Sequence, residues 1–168
     1  MFGSKKAAAL LAAALTMFSA SSCADKSVPL DVGELEVTFF DVGKADSIIL
    51  RAEDSTVIID CGEKGDGKEM VSYLEENDVD TVDYLIITHY DKDHVGGAAK
   101  VINKLDVKNV LAPDYEEKSE EMDKYNKAIA AKNITPQLLT SDLSFTLGDI
   151  SYEVYAPKQS FYGEDNDN

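Results

Sequence analysis

The sequence predicts an α/β protein, a layered sandwich built around a mixed β-sheet. Strand-like and helical segments follow each other in the order strands, helix, strand, helix, strand, helix, strands. Residues 82–88 form an apolar strand of the kind that lies inside a covered sheet. The chain has 168 residues and a hydrophobic content of 44%, which is enough for one domain with a real core.

The first part of the domain combines three short strands with one helix. The strands are predicted at residues 34–42, 47–50 and 57–59. In the first of them, the alternation of side chains places Leu35, Val37 and Phe39 on one face. A turn at residues 43–46 separates the first two strands, and a helix at residues 68–76 follows the third.

The second part begins with the apolar strand at residues 82–88. A helix is predicted to start near Gly96 and to continue through Ile102, and a strand follows at residues 107–111. The longest helical segment, residues 116–132, carries its acids early and its lysines late, which suits the helix dipole. The remaining strands are predicted at residues 137–139, 143–147 and 150–155, with Gly148-Asp149 as the last turn.

Residues 1–22 have the composition of a secretory signal peptide. Lys5 and Lys6 precede an apolar stretch at residues 7–18, and small residues then lead to Cys23. The apolar stretch is shorter than a membrane-spanning helix requires. An uncleaved anchor or a buried N-terminal helix is the alternative interpretation.

Cys23 is the candidate site of lipid attachment. Ser21-Ser22-Cys23 resembles the lipobox of bacterial lipoproteins, although Ala20 stands where a larger aliphatic residue is usual. Residues 23–33 are polar and aperiodic, which predicts a tether ahead of a domain at residues 34–168. We therefore predict an extracytoplasmic lipoprotein of the cell membrane, with plain secretion as the alternative. No feature of the sequence predicts a protein partner.

The chain is strongly acidic, with a formal net charge of −16. Cleavage after residue 22 would remove Lys5 and Lys6 and no acid, so the charge would fall to −18. A surface of this sign repels nucleic acid and anionic lipid unless a local patch or a bound metal reverses the field. The charge therefore argues against tight, nonspecific binding of nucleic acid.

The candidate functional residues lie directly after the apolar strand 82–88. His89, Asp91, Asp93 and His94 fall within six positions, and the two histidines are the only ones in the chain. Imidazole nitrogens and carboxylate oxygens at the end of a buried strand are the donors that zinc or iron requires. We expect Asp93 and His94 to lie in a turn just before the next helix. The alternative is a solvated acidic turn with two incidental histidines.

The segment resembles the signature H-x-[H/D]-x-D-H of the metallo-β-lactamase superfamily. The aspartate at position 91, the upstream segment FFDVGKADSIIL and the triplet Asp60-Cys61-Gly62 are most similar to the hydrolase domains of the ComEC family of competence DNA-uptake channel proteins. The resemblance implies an αββα sandwich with its metal site at the edge between two sheets. It also implies two zinc ions, or manganese in their place.

The same resemblance implies a role for each candidate residue. His89 and Asp91 would belong to the first metal position, and Asp93 and His94 to the second, with Asp93 also orienting the nucleophilic water. Asp60 would support the ligand loop without binding metal. Asp41 and Asp46 lie in the matching strand and turn, but no ligand role is predicted for either, and Cys61 is predicted to be a packed residue.

The chain departs from the superfamily pattern after this segment. No histidine follows His94, and the Gly148-Asp149 pair reads as a hairpin turn, not as the expected bridging aspartate. Four ligands are fewer than two metal ions require. We therefore expect residues 34–168 to be the N-terminal part of the fold, incomplete at the C-terminus.

These features predict an exported, metal-dependent hydrolase that acts on an ester, with a phosphodiesterase or nuclease as one form of it. A small-molecule ester or a nucleic acid would be the substrate, and a lipid anchor would hold the protein at the membrane. The missing ligands motivate the alternative of a non-catalytic surface lipoprotein that keeps the fold as a binding module. A lactonase or β-lactamase is less favoured, because Asp91 stands where those enzymes usually carry histidine.

Overall fold

The computed structural model describes residues 33–158. A six-stranded sheet forms the centre, and its strands lie side by side in the order of the chain. They are β1 (Glu36–Phe39), β2 (Ile48–Ala52), β3 (Ser55–Ile59), β4 (Thr81–Ile86), β5 (Asp106–Ala112) and β6 (Gln137–Leu138). The pairs β1–β2 and β2–β3 are antiparallel, and the pairs from β3 to β6 are parallel. The predicted α/β class and mixed sheet are confirmed.

Helices connect the parallel strands and cover one face of this sheet. They are α1 (Asp66–Glu76), α2 (Lys92–Val95), α3 (Ala98–Lys104) and α4 (Glu120–Lys132). Ile49, Ile58 and Leu85 of the sheet are fully buried in a core that also contains the apolar faces of these helices. Burial of this apolar face, more than helix propensity, stabilises the short helices.

A two-stranded hairpin lies against the other face of the sheet. It consists of β7 (Leu143–Leu147) and β8 (Ile150–Val154), which pair in antiparallel register. The hairpin packs on Val57, Ile86 and Leu111, and the rings of Tyr84 and Phe145 stack with centroids 4.0 Å apart. The described residues thus form three layers in the order helices, sheet, sheet.

Most elements lie where the sequence predicts them, but several predicted boundaries are wrong. The helix predicted near Gly96 begins at Ala98, and it is preceded by α2 where a turn was expected. Asp93 and His94 therefore lie in a short helix, not in a turn. The helix predicted from residue 116 begins at Glu120, because the hydroxyl of Ser119 accepts a hydrogen bond from the backbone N–H of Met122 and caps the helix there.

The face of β1 that carries Leu35, Val37 and Phe39 exists as predicted, but it is exposed. Their side chains are 42%, 46% and 77% exposed, respectively. These side chains lie on the face of the sheet that the hairpin covers. The hairpin, however, packs on the strands that follow β1. An apolar strip along β1 is therefore uncovered in the described part of the chain.

The predictions of a signal peptide and a lipid-attached tether are not tested by the structure. The signal peptide, Cys23 and most of the tether at 23–33 lie outside the described residues. Within residues 33–158, no helix has both the length and the apolar composition that crossing a membrane requires.

Candidate metal centre

The candidate residues lie at the carboxyl ends of two adjacent parallel strands, β3 and β4. Ile59 and Ile86 are register partners near these ends, so the residues that follow them meet at one edge of the sheet. Asp60 follows β3 directly, and residues 87–94 follow β4. The strand predicted to reach residue 88 ends at Ile86, because the N–H of Thr88 donates to the side chain of Asp60.

Asp60 is a buried carboxylate with three hydrogen bonds. It is 3% exposed, and its backbone adopts a left-handed conformation with φ of 58°. One oxygen accepts from the Thr88 N–H at 2.9 Å, and the other accepts from the Thr88 hydroxyl at 2.5 Å. The second oxygen also lies 2.8 Å from Nδ1 of His94. These partners offset the cost of burying the charge, and left-handed backbone at a non-glycine residue is typical of functional sites.

The hydrogen bonds of Asp60 determine which nitrogen of each histidine carries the proton. Since the carboxylate is acceptor only, Nδ1 of His94 must be the donor. The Thr88 hydroxyl donates to Asp60, so it must accept at 3.1 Å from Nδ1 of His89. In the neutral state both imidazoles therefore carry a lone pair on Nε2, the form in which histidine binds a metal.

The two imidazole rings are close neighbours. Their centroids lie 3.7 Å apart, with an angle of 46° between the ring planes. Nε2 of His89 is buried and has no hydrogen-bond partner among the described residues. A buried nitrogen without a partner is costly, and a metal ion would satisfy it.

Two carboxylates lie beside the histidines. Asp91 precedes α2, and its Oδ2 is 3.9 Å from Nε2 of His89. Oδ2 of Asp46 is 3.6 Å from Nε2 of His94. Asp93 lies in the first turn of α2, and its backbone carbonyl accepts from the Asp46 N–H at 3.2 Å. The four predicted ligands thus follow the same edge of the sheet, and Asp46 lies beside His94 there.

The charges around His94 affect its protonation. Burial lowers the pKa of His94, but the hydrogen bond and charge of Asp60, together with the charges of Asp93 and Asp46, raise it by more. The pKa of His94 therefore lies above its ordinary value. A protonated His94 cannot bind a metal through Nε2, so a metal ion would have to displace this proton.

The chemistry of the donor atoms favours a metal ion, but their present geometry does not complete a metal site. Two Nε2 lone pairs and the nearby carboxylates are donors that suit zinc. In the arrangement seen for residues 33–158, however, no three His, Cys, Asp or Glu side chains are placed so that they could hold an ion together. The nitrogens fit a zinc ion, and the carboxylates do not complete its coordination here.

The two loops that form the centre are held together through their backbones. The N–H of Cys61 donates to the carbonyl of His94 at 2.8 Å, and the N–H of Gly97 donates to the carbonyl of Gly62 at 3.2 Å. A Cβ atom on Gly97 would lie 2.2 Å from the carbonyl oxygen of Cys61, and one on Gly67 would lie 2.5 Å from that of Gly97. Glycine is required at these contacts. Cys61, predicted to be a packed residue, lies fully buried in the core.

Two residues of the centre were missed or set aside in the sequence. Thr88 connects Asp60 to His89, yet a threonine at a strand end carries no signal of this role. Asp46 was given no ligand role, although it lies beside His94. The backbone bond between the Asp46 N–H and the carbonyl of Asp93 brings it there, and this contact joins segments far apart in the sequence.

Comparison with known proteins identifies the family. A family model described as the metallo-beta-lactamase superfamily matches residues 40–159. A hydroxyacylglutathione hydrolase of Shewanella loihica is 33% identical over 97 residues, which cover 52% of this chain and 35% of that protein. Hydroxyacylglutathione hydrolase 2 of Vibrio vulnificus is 29% identical over 69 residues, which cover 41% of this chain and 26% of the relative.

The fold has neighbours among solved structures. A metallo-beta-lactamase from Pontibacter korlensis superposes with a TM-score of 0.47 at 19% identity, over 73% of this chain and 60% of that one. The chain spans about a quarter to a third of the length of the curated relatives that it matches. The family match, in contrast, covers most of the chain. The chain therefore belongs to the metallo-β-lactamase superfamily.

Proposed function

We propose that this chain carries the metal centre of an exported hydrolase that cleaves an ester bond with water. The observation that supports the proposal most directly is the buried Nε2 of His89. This nitrogen has no partner among the described residues, and it lies beside a second imidazole with the same protonation pattern. Membership of a superfamily whose matched relatives are named as hydrolases adds support.

Each candidate residue would have its own role at the metal centre. His89 and Asp91 would hold one ion, and Asp93 and His94 the other. Bound zinc or manganese would supply an acidic water and stabilise the charge that develops during attack. Asp93 would orient that water and accept its proton, while Asp60 holds both imidazoles in the required protonation state. Further donors would have to complete the coordination of both ions.

The substrate proposed first is a phosphodiester, and a carboxylic ester is the second candidate. Asp91 and the segment FFDVGKADSIIL support the phosphodiester through their resemblance to ComEC-type hydrolase domains. The matched relatives, named as hydroxyacylglutathione hydrolases, support the other ester class. The net charge of −16 opposes binding of long nucleic acids, because few cationic side chains are available to displace their counterions.

The proposal also includes export and lipid attachment at Cys23. Metabolic labelling with a fatty-acid analogue tests this part, with Cys23→Ala as the control.

The hydrolase proposal is tested with a chromogenic phosphodiester. We expect bis-nitrophenyl phosphate to be hydrolysed by protein loaded with zinc or manganese. Asp93→Ala and His94→Ala should each lower turnover by about 100-fold or more. Asp54→Asn, an exposed acid remote from the centre, is the matched control and should leave turnover unchanged. Equal turnover in chelator-treated protein would rule the mechanism out.

A non-catalytic binding module remains the second candidate function. The specific observation in its favour is that no three donor side chains among residues 33–158 are arranged to hold an ion. Sequencing the gene past the codon for Asn168 separates the two candidates. Histidines and an aspartate in that region would supply the additional ligands, and a stop codon would favour the binding module.

A further inference from the structure

A groove of about 870 Å³ lies between α3 and α4 and reaches the start of α1. None of the four predicted metal ligands lines it. One wall includes Gly96, which follows His94 by two residues, so the groove and the metal centre share a loop. Nothing in the proposed hydrolysis makes use of this groove.

The lining of the groove is rich in lysine, on a chain with 32 acidic and 16 basic residues. Five lysines contribute to it, namely Lys64, Lys68, Lys100, Lys124 and Lys127. Lys64 and Lys124 approach Glu120, which lies outside the lining. Lys68, Lys100 and Lys127 have no ion pair within residues 33–158. In the described part of the chain, the groove therefore offers three lysines without an ion pair on an otherwise acidic molecule.

Apart from the lysines and Asn103, the groove is lined by the smallest residues. They are Gly65, Gly96, Ala99, Ala128 and Ala131. On α4 the lining positions are spaced by three and four residues, so they form one stripe along the helix. Small side chains on such a stripe let the backbone of another helix approach to about 8–10 Å between the axes.

The shape and chemistry of the lining favour one kind of occupant. Among residues 33–158, no aromatic side chain lines the groove, so the bases of a nucleic acid would have no surface there on which to stack. The overall charge of −16 also repels a densely charged phosphate polymer. A helix with a small apolar face and flanking carboxylates would match both the alanines and the lysines while carrying few charges.

We propose that this groove binds an acidic amphipathic helix of a partner protein. The apolar face of that helix would lie on Ala99 and Ala131, which retain exposed surface, and its carboxylates would pair with Lys68, Lys100 and Lys127. The proposal is independent of the metal centre, because neither a metal ion nor hydrolysis enters it.

The test uses a synthetic helical peptide of about 14 residues, roughly 21 Å long as a helix. Its sequence places alanine and leucine on one face and glutamate on both flanks, and a scrambled peptide of equal composition is the first control. Binding of each peptide to the full chain, without added metal, is measured by fluorescence anisotropy. Linear polyphosphate is tested as a competitor, and light scattering of the chain alone measures self-association.

Three variants distinguish peptide binding in the groove from nonspecific electrostatic attraction between the peptide and the protein. Lys100→Glu/Lys127→Glu reverses the charge on both walls, and Lys104→Glu/Lys118→Glu makes the same charge change at exposed lysines outside the groove. Ala131→Phe fills the exposed part of the apolar stripe without changing any charge. We expect the first and the third to weaken peptide binding about tenfold, and the second to change it less than about twofold.

Several results would overturn the proposal. The scrambled peptide could bind as tightly as the amphipathic one, or Ala131→Phe could leave binding unchanged. Displacement of the peptide by polyphosphate at lower concentration than by free peptide would assign the groove to phosphates. Self-association that is lost in Lys100→Glu/Lys127→Glu would assign it to a second copy of this chain.

Discussion

Asp60 connects the two histidines of the centre through a single buried carboxylate. Nδ1 of His94 donates to it directly, and Nδ1 of His89 donates to it through the Thr88 hydroxyl. Both Nε2 nitrogens are thereby left with lone pairs. One residue outside the proposed ligand set thus determines whether two ligands are ready to bind.

Asp60→Asn tests this connection. An amide can donate where the carboxylate accepted, so we expect the proton of at least one imidazole to move from Nδ1 to Nε2. Zinc affinity should fall by roughly 10–100-fold, as when the hydrogen-bond partner of a metal-binding histidine is lost. Nitrogen-15 NMR of the imidazoles reports the tautomers, and Asp54→Asn is the control. Unchanged tautomers in Asp60→Asn would contradict the proposed role of this carboxylate.

The raised pKa of His94 gives a pH dependence with a definite sign. Burial lowers this pKa, and Asp60, with Asp93 and Asp46, raises it by more. Because the folded pKa lies above the unfolded value of about 6.5, protonation of His94 stabilises the fold. The contribution is fully present below about pH 6.5 and is lost as the pH rises through the folded pKa.

NMR titration of the metal-free protein measures this shift without ambiguity, since the chain contains only two histidines. We expect the ring signal of His94 to titrate above pH 6.5, and the wild-type urea midpoint to fall over that interval relative to His94→Gln. A titration below pH 6.5 would show that burial outweighs the three carboxylates.

At the scale of elements, the centre depends on the contact between the loop after β3 and the segment around α2. Backbone hydrogen bonds at Cys61 and Gly97 join them, and the glycines leave room for these bonds.

The sequence revealed the strands and the ligand segment, because apolar runs and clustered histidines are strong local signals. It did not reveal α2, since a four-residue helix has no periodicity to detect. It also could not reveal Asp46 beside His94, because a contact between distant segments places it there.

Gly97→Ala should destabilise the protein by about 2–3 kcal/mol, because its Cβ atom would overlap the backbone of the neighbouring loop. The clash distance to the Cys61 carbonyl oxygen would be 2.2 Å. Gly65→Ala is the matched control, since a Cβ atom there meets nothing within 4 Å, and it should cost less than about 1 kcal/mol. Urea denaturation measures both. Equal stability of the two variants would show that the loops separate at little cost.

At the scale of the whole molecule, one sheet face is covered unequally. The hairpin covers the centre of this face, whereas Phe39 on β1 is 77% exposed. Phe40, the next residue, packs against the helical core and contacts the ring of Tyr73 at a centroid distance of 5.5 Å. The sequence predicted the alternation along β1, but only the packing of the hairpin shows which side remains open.

Phe39 and Phe40 offer a direct comparison of the two sides. Phe39→Ser should leave the free energy of unfolding within about 0.5 kcal/mol of wild type and reduce self-association and dye binding. Phe40→Ser should destabilise the protein by about 2–4 kcal/mol. Denaturation and light scattering measure the two effects. A large loss of stability in Phe39→Ser would mean that this face is covered in solution.

We propose that both histidines of the segment from His89 to His94 bind divalent metal through Nε2, His89 at one ion and His94 at the other. Titration of the metal-free protein with cobalt(II), followed by proton NMR, measures metal binding at each imidazole ring. We predict that ring signals of both histidines shift strongly as cobalt is added, and that zinc reverses the shifts by competition. Unshifted histidine signals at millimolar cobalt, or shifts confined to exposed carboxylates, would show that the two histidines do not bind metal.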